Sequence, residues 1–147
     1  MTPQGQPIEV LLVEDDPGDE LMTREAFQDN KIGNTLHVVR DGEEALDFLY
    51  RRGAHAGAPR PDLILLDFNL PKYDGREVLQ RIKSDPELSL IPVVVLTTSS
   101  SEEDIMRAYK LHANAYVTKP VDLDQFIAAV RQIDDFFVTV VRLPHRS

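Results

Sequence analysis

The chain has no cysteine, which removes disulfides, thiolate metal sites and cysteine nucleophiles in one step. Positive charge is scarce too: 16 Lys and Arg against 25 Asp and Glu leave a formal net charge of −9. Such a surplus of acid repels phosphate backbones and anionic lipid, so neither nucleic acid nor a membrane surface is an expected partner. No apolar run approaches the ~18 residues needed to span a bilayer. Residues 1–7 are polar and lack the charged-then-apolar pattern of a signal peptide. A Gly-rich phosphate loop of either common pattern is also missing. What is present is 147 residues, 42% of them hydrophobic. That matches the prior of about 150 residues per domain, a size that hides roughly 68–70% of the unfolded surface. The expectation is one acidic, cytoplasmic domain over residues 1–147.

The apolar residues alternate between two kinds of segment. Short blocks rich in branched residues lie at 8–13, 36–39, 63–66, 93–96 and 115–117. Bounded by turn residues, they suit strands buried on both faces of a parallel sheet. Longer stretches of helical period separate them. Leu21, Met22 and Phe27 mark a helix near 18–30, and Ala45, Leu46 and Leu49 one near 42–52. Val78, Leu79 and Ile82 mark a third, and Ile105, Ala108 and Tyr109 a fourth. Phe126, Val130, Ile133 and Phe137 mark a fifth.

Start and stop signals agree. Asp16 before Pro17 reads as an N-cap followed by the favoured first-turn proline. Asp41 with Glu44, and Asp122 with Gln125, form variants of the capping box. Ser101 precedes three acids suited to the positive end of a helix, and Pro86 stops the third helix. Residues 51–61 read as a loose Gly/Ala/Pro loop, longer than the usual 2–6 residues between helix and strand. Five successive β–α units imply an α/β domain with helices on both faces of a five-stranded parallel sheet. Right-handed crossovers and one reversal of strand order make it doubly wound and flavodoxin-like, in the order 2-1-3-4-5.

In such a sheet, ligands bind beyond the carboxyl ends of the strands. The first strand runs into Glu14, Asp15 and Asp16, the third into Asp67, the fourth into Thr97 and the fifth into Thr118 and Lys119. Each has an ordinary reading when taken alone. An acidic run is usually a solvated loop or a cap, a strand threonine is common, and a lysine before a proline often sits on a surface turn. Convergence of all of them on one sheet edge favours chemistry. Crowded carboxylates need a proton or a hard cation, and oxygen-only ligands without His or Cys favour Mg²⁺. Asp67, anchored by the apolar block beneath it, can act as a nucleophile and form an aspartyl phosphate. The metal, Lys119 and Thr97 would then hold the phosphoryl oxygens.

These residues resemble the receiver domain of two-component response regulators. The matching motifs are Val13 to Asp16, Asp67 to Gly75, Thr97 to Ser99 and Tyr116 to Pro120, in order and spacing, over roughly residues 8–133. The resemblance implies that Asp67 accepts a phosphoryl group from a phosphohistidine of a sensor histidine kinase. It implies that Asp15 and Asp67 bind Mg²⁺ through their carboxylates and Asn69 through its backbone carbonyl, while Glu14 acts through a coordinated water. Asp16 is the least settled of the three acids. Lys119 would pair with the phosphoryl group. Thr97 would move toward it and let Tyr116 turn inward, altering the face built from the fourth helix, fifth strand and fifth helix. Asn69 and Ser99 would flank the path of the hydrolytic water.

No DNA-binding or catalytic module is expected, so the protein is not an enzyme beyond its own phosphorylation and dephosphorylation, and output would be by protein contact. The long loop and the tail at about 134–147 look like the small regulators paired with phytochrome-type kinases. Phe136, Phe137, Val138, Val140, Val141 and Leu143 are too apolar for a free end and need a partner surface, either their own domain or a second copy in a homodimer.

Two rivals are weaker. A haloacid-dehalogenase-like phosphatase carries its nucleophile after the first strand and an acid two residues later, where this chain has Asn69 two after Asp67. A flavin- or nucleotide-binding protein lacks its phosphate loop here. His37, expected in the second strand, and His55, His112 and His145, near loops or helix ends, have no metal-ligand spacing and are structural or exposed.

Overall fold

The computed structural model describes residues 8–27, 34–68, 70, 74–97 and 102–119. Five strands, β1 (Ile8–Val13), β2 (Asn34–Val39), β3 (Leu63–Asp67), β4 (Val93–Thr97) and β5 (Ala115–Thr118), alternate with four helices. These are α1 (Pro17–Phe27), α2 (Gly42–Tyr50), α3 (Gly75–Ser84) and α4 (Glu102–Lys110). The strands form one all-parallel sheet in the order β2-β1-β3-β4-β5, the doubly wound arrangement expected from the alternation. The expected fifth helix and the tail at 134–147 lie outside the described residues.

Strand period divides the core into two layers. Leu11, Val13, Ile64, Leu66, Val93 and Val95 point to one face, where they join Ala45, Phe48 and Leu49 of α2, Val78, Leu79 and Ile82 of α3 and Ala108 of α4. The alternate residues, Val10, Leu12, Leu63, Leu65, Val94 and Leu96, are as fully buried on the other face. The step from β1 to β2 runs along the sheet opposite to every later step. Right-handed crossovers therefore set α1 on the face away from α2, α3 and α4. Burial on both faces explains why the central strands read as continuous apolar blocks rather than as alternating ones.

Local signals set the helix starts. Asp16 Oδ1 accepts from Gly18 N at 2.9 Å ahead of α1, as an N-cap should. Asp41 Oδ1 accepts from Glu44 N at 2.8 Å, and the Glu44 carboxylate accepts from Arg40 N, so the box closes one residue earlier than the usual pattern. Asp74 caps α3 by accepting from Arg76 N at 2.8 Å. Glycine is required at the next position. A Cβ on Gly75 would sit 2.5 Å from Asp67 O and 2.6 Å from Phe68 Cα, so only glycine lets α3 start against the backbone that carries Asp67.

The connection at 51–61 is not loose. It contains a 3₁₀ turn at Gly53–His55, and Arg51, in the left-handed region at φ 56°, donates from Nε to Ala58 O. His55 stacks near Phe48 and contacts Glu44 at 3.0 Å. Its length accommodates a turn that sets His55 against α2, which composition alone could not reveal. At the amino end of the sheet, Lys83 Nζ donates to Ser89 O, Ile91 O and Asn114 Oδ1, while Asn114 Oδ1 also accepts from Val93 N. That cluster ties α3 to the starts of β4 and β5.

Candidate functional site

Backbone pairing carries polar residues to the carboxyl edge of the sheet. The ladder extends past the strand ends: Glu14 N donates to Val39 O, Phe68 N to Leu96 O and Lys119 N to Thr97 O. Asp67 and Thr97 themselves stay in the ladder, opposite Leu96 and Thr118, one residue further than the apolar blocks suggest. Glu14, Asp67 and Thr97 are all buried there. Sequence positions separated by more than a hundred residues thus meet at one rim.

Lys119 is the hub of that rim. Its Nζ lies 2.8 Å from Glu14 Oε1 and 3.0 Å from both Asp67 Oδ2 and Asp19 Oδ2, with the side chain 7% exposed. The three carboxylates come from the end of β1, the first turn of α1 and the end of β3. Glu14 is held at its other oxygen, where Oε2 accepts from Asp16 N at 3.2 Å. Its buried Oε1 has the ion pair with Lys119 but no hydrogen bond of good geometry from the described residues.

Burial pushes the Glu14 carboxyl up from its ordinary 4.5 to about 7, with the nearby charge of Asp67 adding to the rise and Lys119 opposing it. Burial would lower Lys119, but its bonds to Glu14 and Asp19 and the charge of Asp67 prevail and hold it above the ordinary lysine value. Lys83 shows the opposite outcome. Its acceptors among the described residues are neutral, and burial lowers it.

Carboxylate oxygens of Glu14, Asp15 and Asp67 lie within 4.8 Å of one another, a group that could hold a metal ion. The donor set is all oxygen and Asp15 is open to solvent, which fits a hard divalent cation that keeps part of its water shell.

The expected residues Glu14, Asp15, Asp67 and Lys119 are therefore brought together, with Thr97 buried at the neighbouring strand end. Asp16 is outside the carboxylate cluster and serves as the helix cap. Tyr116 is half-buried against the core. Asn69 and Ser99 lie outside the described residues. Asp19 is the residue the sequence reading missed. No local pattern marks it, because Asp15 lies before the helix and Lys119 reaches Asp19 only through the fold.

The doubly wound sheet carries a buried aspartate, a lysine and a cation-suited acid cluster at its carboxyl edge. Residues 10–131 match the response regulator receiver domain, and the chain belongs to that family. Response regulator Rcp1 of Synechocystis sp. is 47% identical over 135 residues, covering 92% of each chain. Among solved structures, the phosphorylated cyanobacterial phytochrome response regulator RcpA is 48% identical with a TM-score of 0.76, over 91% of this chain and 96% of that one. The Mn²⁺-bound form of Rcp1 is 46% identical with a TM-score of 0.74, over 90% and 96%. Receiver domains bind divalent cations at their acidic pocket and take phosphoryl groups from histidine kinases.

The raised Glu14 carboxyl sets a pH dependence for the metal-free protein. The folded chain holds this proton more tightly than the unfolded one, so the contribution is complete below about 4.5 and is lost as pH rises through about 7. In EDTA, the wild type should lose more stability between pH 5 and pH 8 than Glu14→Gln, by on the order of 2 kcal/mol. Denaturant melts measure it, and parallel pH profiles for the two proteins would contradict it.

Proposed function

We propose that this chain is a stand-alone cytoplasmic response regulator that accepts a phosphoryl group on Asp67 from a sensor histidine kinase, with Mg²⁺ as cofactor. The observation that supports it best is the meeting of a buried Asp67 with Lys119 at 3.0 Å beside the Glu14 and Asp15 carboxylates. In the transfer, an Asp67 oxygen attacks phosphorus and an O–P bond forms. The P–N bond to the donor imidazole breaks, and its electron pair stays on nitrogen. Later attack by water releases inorganic phosphate and restores the carboxylate, so the chain turns over no separate substrate.

Glu14, Asp15 and Asp67 would hold the cation, Glu14 through a water, with Asn69 offering its backbone carbonyl. When bound, Mg²⁺ supplies neutralisation of the phosphoryl oxygens and of the acids that crowd them. Lys119 keeps a positive charge beside Asp67 and would pair with a phosphoryl oxygen. Thr97, next to Asp67 across the ladder, would donate its hydroxyl to another. Tyr116, already against the core, would follow Thr97 inward and change the surface formed by α4, β5 and the segment after it. A phytochrome-type kinase as donor is supported by the similarity to the cyanobacterial phytochrome response regulator RcpA.

Treatment of the protein with a small phosphodonor and Mg²⁺, read by intact mass, should add one phosphoryl group to the wild type and none to Asp67→Ala. An adduct that survives the substitution would refute the assignment. The reading extends to a homodimer, through the C-terminal extension or the face formed around α4 and β5. Met106 and Tyr109 stand exposed on α4, and the extension is strongly apolar. Sedimentation should show a dimer for the full chain that is lost or weakened on truncation after Ile133. Equal monomer masses would end that extension of the proposal.

A further inference from the structure

Lys119 spends its donors on three carboxylates, and only two of them belong to the proposed cation cluster. The third, Asp19, stands in the first turn of α1, where a negative charge is favoured by the exposed N–H groups of the helix. It is partly open to solvent at 29%, whereas Lys119 is almost enclosed. The ion pair spans a sequence separation of 100 residues. Thr23 Oγ1 donates to Asp19 O, which fixes the turn that carries the side chain.

The arrangement poses a competition. The Lys119 ammonium and a divalent cation are both drawn to Glu14 and Asp67, and they repel each other. An ammonium held only by those two acids would have to be pulled off them, without replacement, before the cation could take them. In so enclosed a place an unpaired charge is costly. A further acid outside the cluster removes that difficulty.

We propose that Asp19 is a positioning residue that retains the Lys119 ammonium in the site while the divalent cation engages Glu14 and Asp67. This rests on the reading of Asp67 as a phosphoacceptor with Mg²⁺. Asp19 touches neither the reacting atoms nor the cation and acts through Lys119. Its neutral isostere leaves Lys119 bound to Glu14 and Asp67 alone, so the ammonium competes harder with the cation.

The test is a double-mutant cycle on the full chain, reading Mg²⁺ affinity by calorimetry without any phosphodonor. Asp19→Asn should weaken Mg²⁺ binding about five- to tenfold. In the Lys119→Met background, which keeps the aliphatic length, the same Asp19→Asn change should have less than a twofold effect. Equal affinities for wild type and Asp19→Asn would overturn the inference. A loss that persists undiminished with Lys119→Met would also overturn it, because Asp19 would then act on the cation directly. Wild-type protein that binds Mg²⁺ and is phosphorylated keeps either failure separate from the parent reading. Wild type that binds no Mg²⁺ would bring down both. Thermal melts of all four proteins verify that each is folded, and Lys119→Gln replaces Lys119→Met if the latter is not.

Discussion

The ammonium of Lys119 is the counter-charge that lets several acids share one rim. Glu14 and Asp67 are buried, and two carboxylates so placed would repel and take up protons without a cation between them. The ion pairs of Lys119 with both, and with Asp19, supply that cation from within the chain. They also draw three separate elements to a common point: the end of β1, the start of α1 and the end of β3. A site assembled in this way is strained in charge. One lysine offsets only part of the acidity of Glu14, Asp15, Asp19 and Asp67, and burial, with the charge of Asp67 adding to it, raises the carboxyl of Glu14.

That shortfall is what gives the site its chemistry. A fully neutralised cluster would have little call for a divalent ion, whereas an under-neutralised one attracts it and then the oxygens of a phosphoryl group. Lys83 marks the contrast at the opposite edge of the sheet. Among the described residues it meets only carbonyl and amide oxygens, and it fastens strand starts. Two lysines in one small domain thus serve different ends because their acceptors differ in charge. Position relative to strand direction separates the two roles: chemistry at the carboxyl ends, anchoring at the amino ends.

Much of this was legible in the sequence. The apolar blocks marked every strand core because burial on both faces leaves little room for polar residues. The strand order rested on the doubly wound arrangement, one reversal of order with right-handed crossovers, rather than on any residue. The blocks fell short at β3 and β4 because Asp67 and Thr97, polar residues, remain in the hydrogen-bonded ladder. Glu14, Asp15, Asp67 and Lys119 could be named because strand ends are fixed by the core beneath them. Asp19 could not, since it lies on a helix and gains its role only through a lysine brought back by the fold. The connection at 51–61 looked slack for a similar reason. Its order comes from His55 settling on Phe48 and Glu44, contacts that no local pattern encodes. Asp16 illustrates the reverse case, an acid in a suggestive run whose helix cap accounts for it.

The most direct measurement is anomalous diffraction from crystals soaked in Mn²⁺, which locates a bound cation independently of any activity. A single strong peak within coordination distance of the Asp15 and Asp67 carboxylates, beside an intact Lys119 ammonium, is the predicted result. A manganese peak elsewhere on the protein, with none at this rim, would contradict the account.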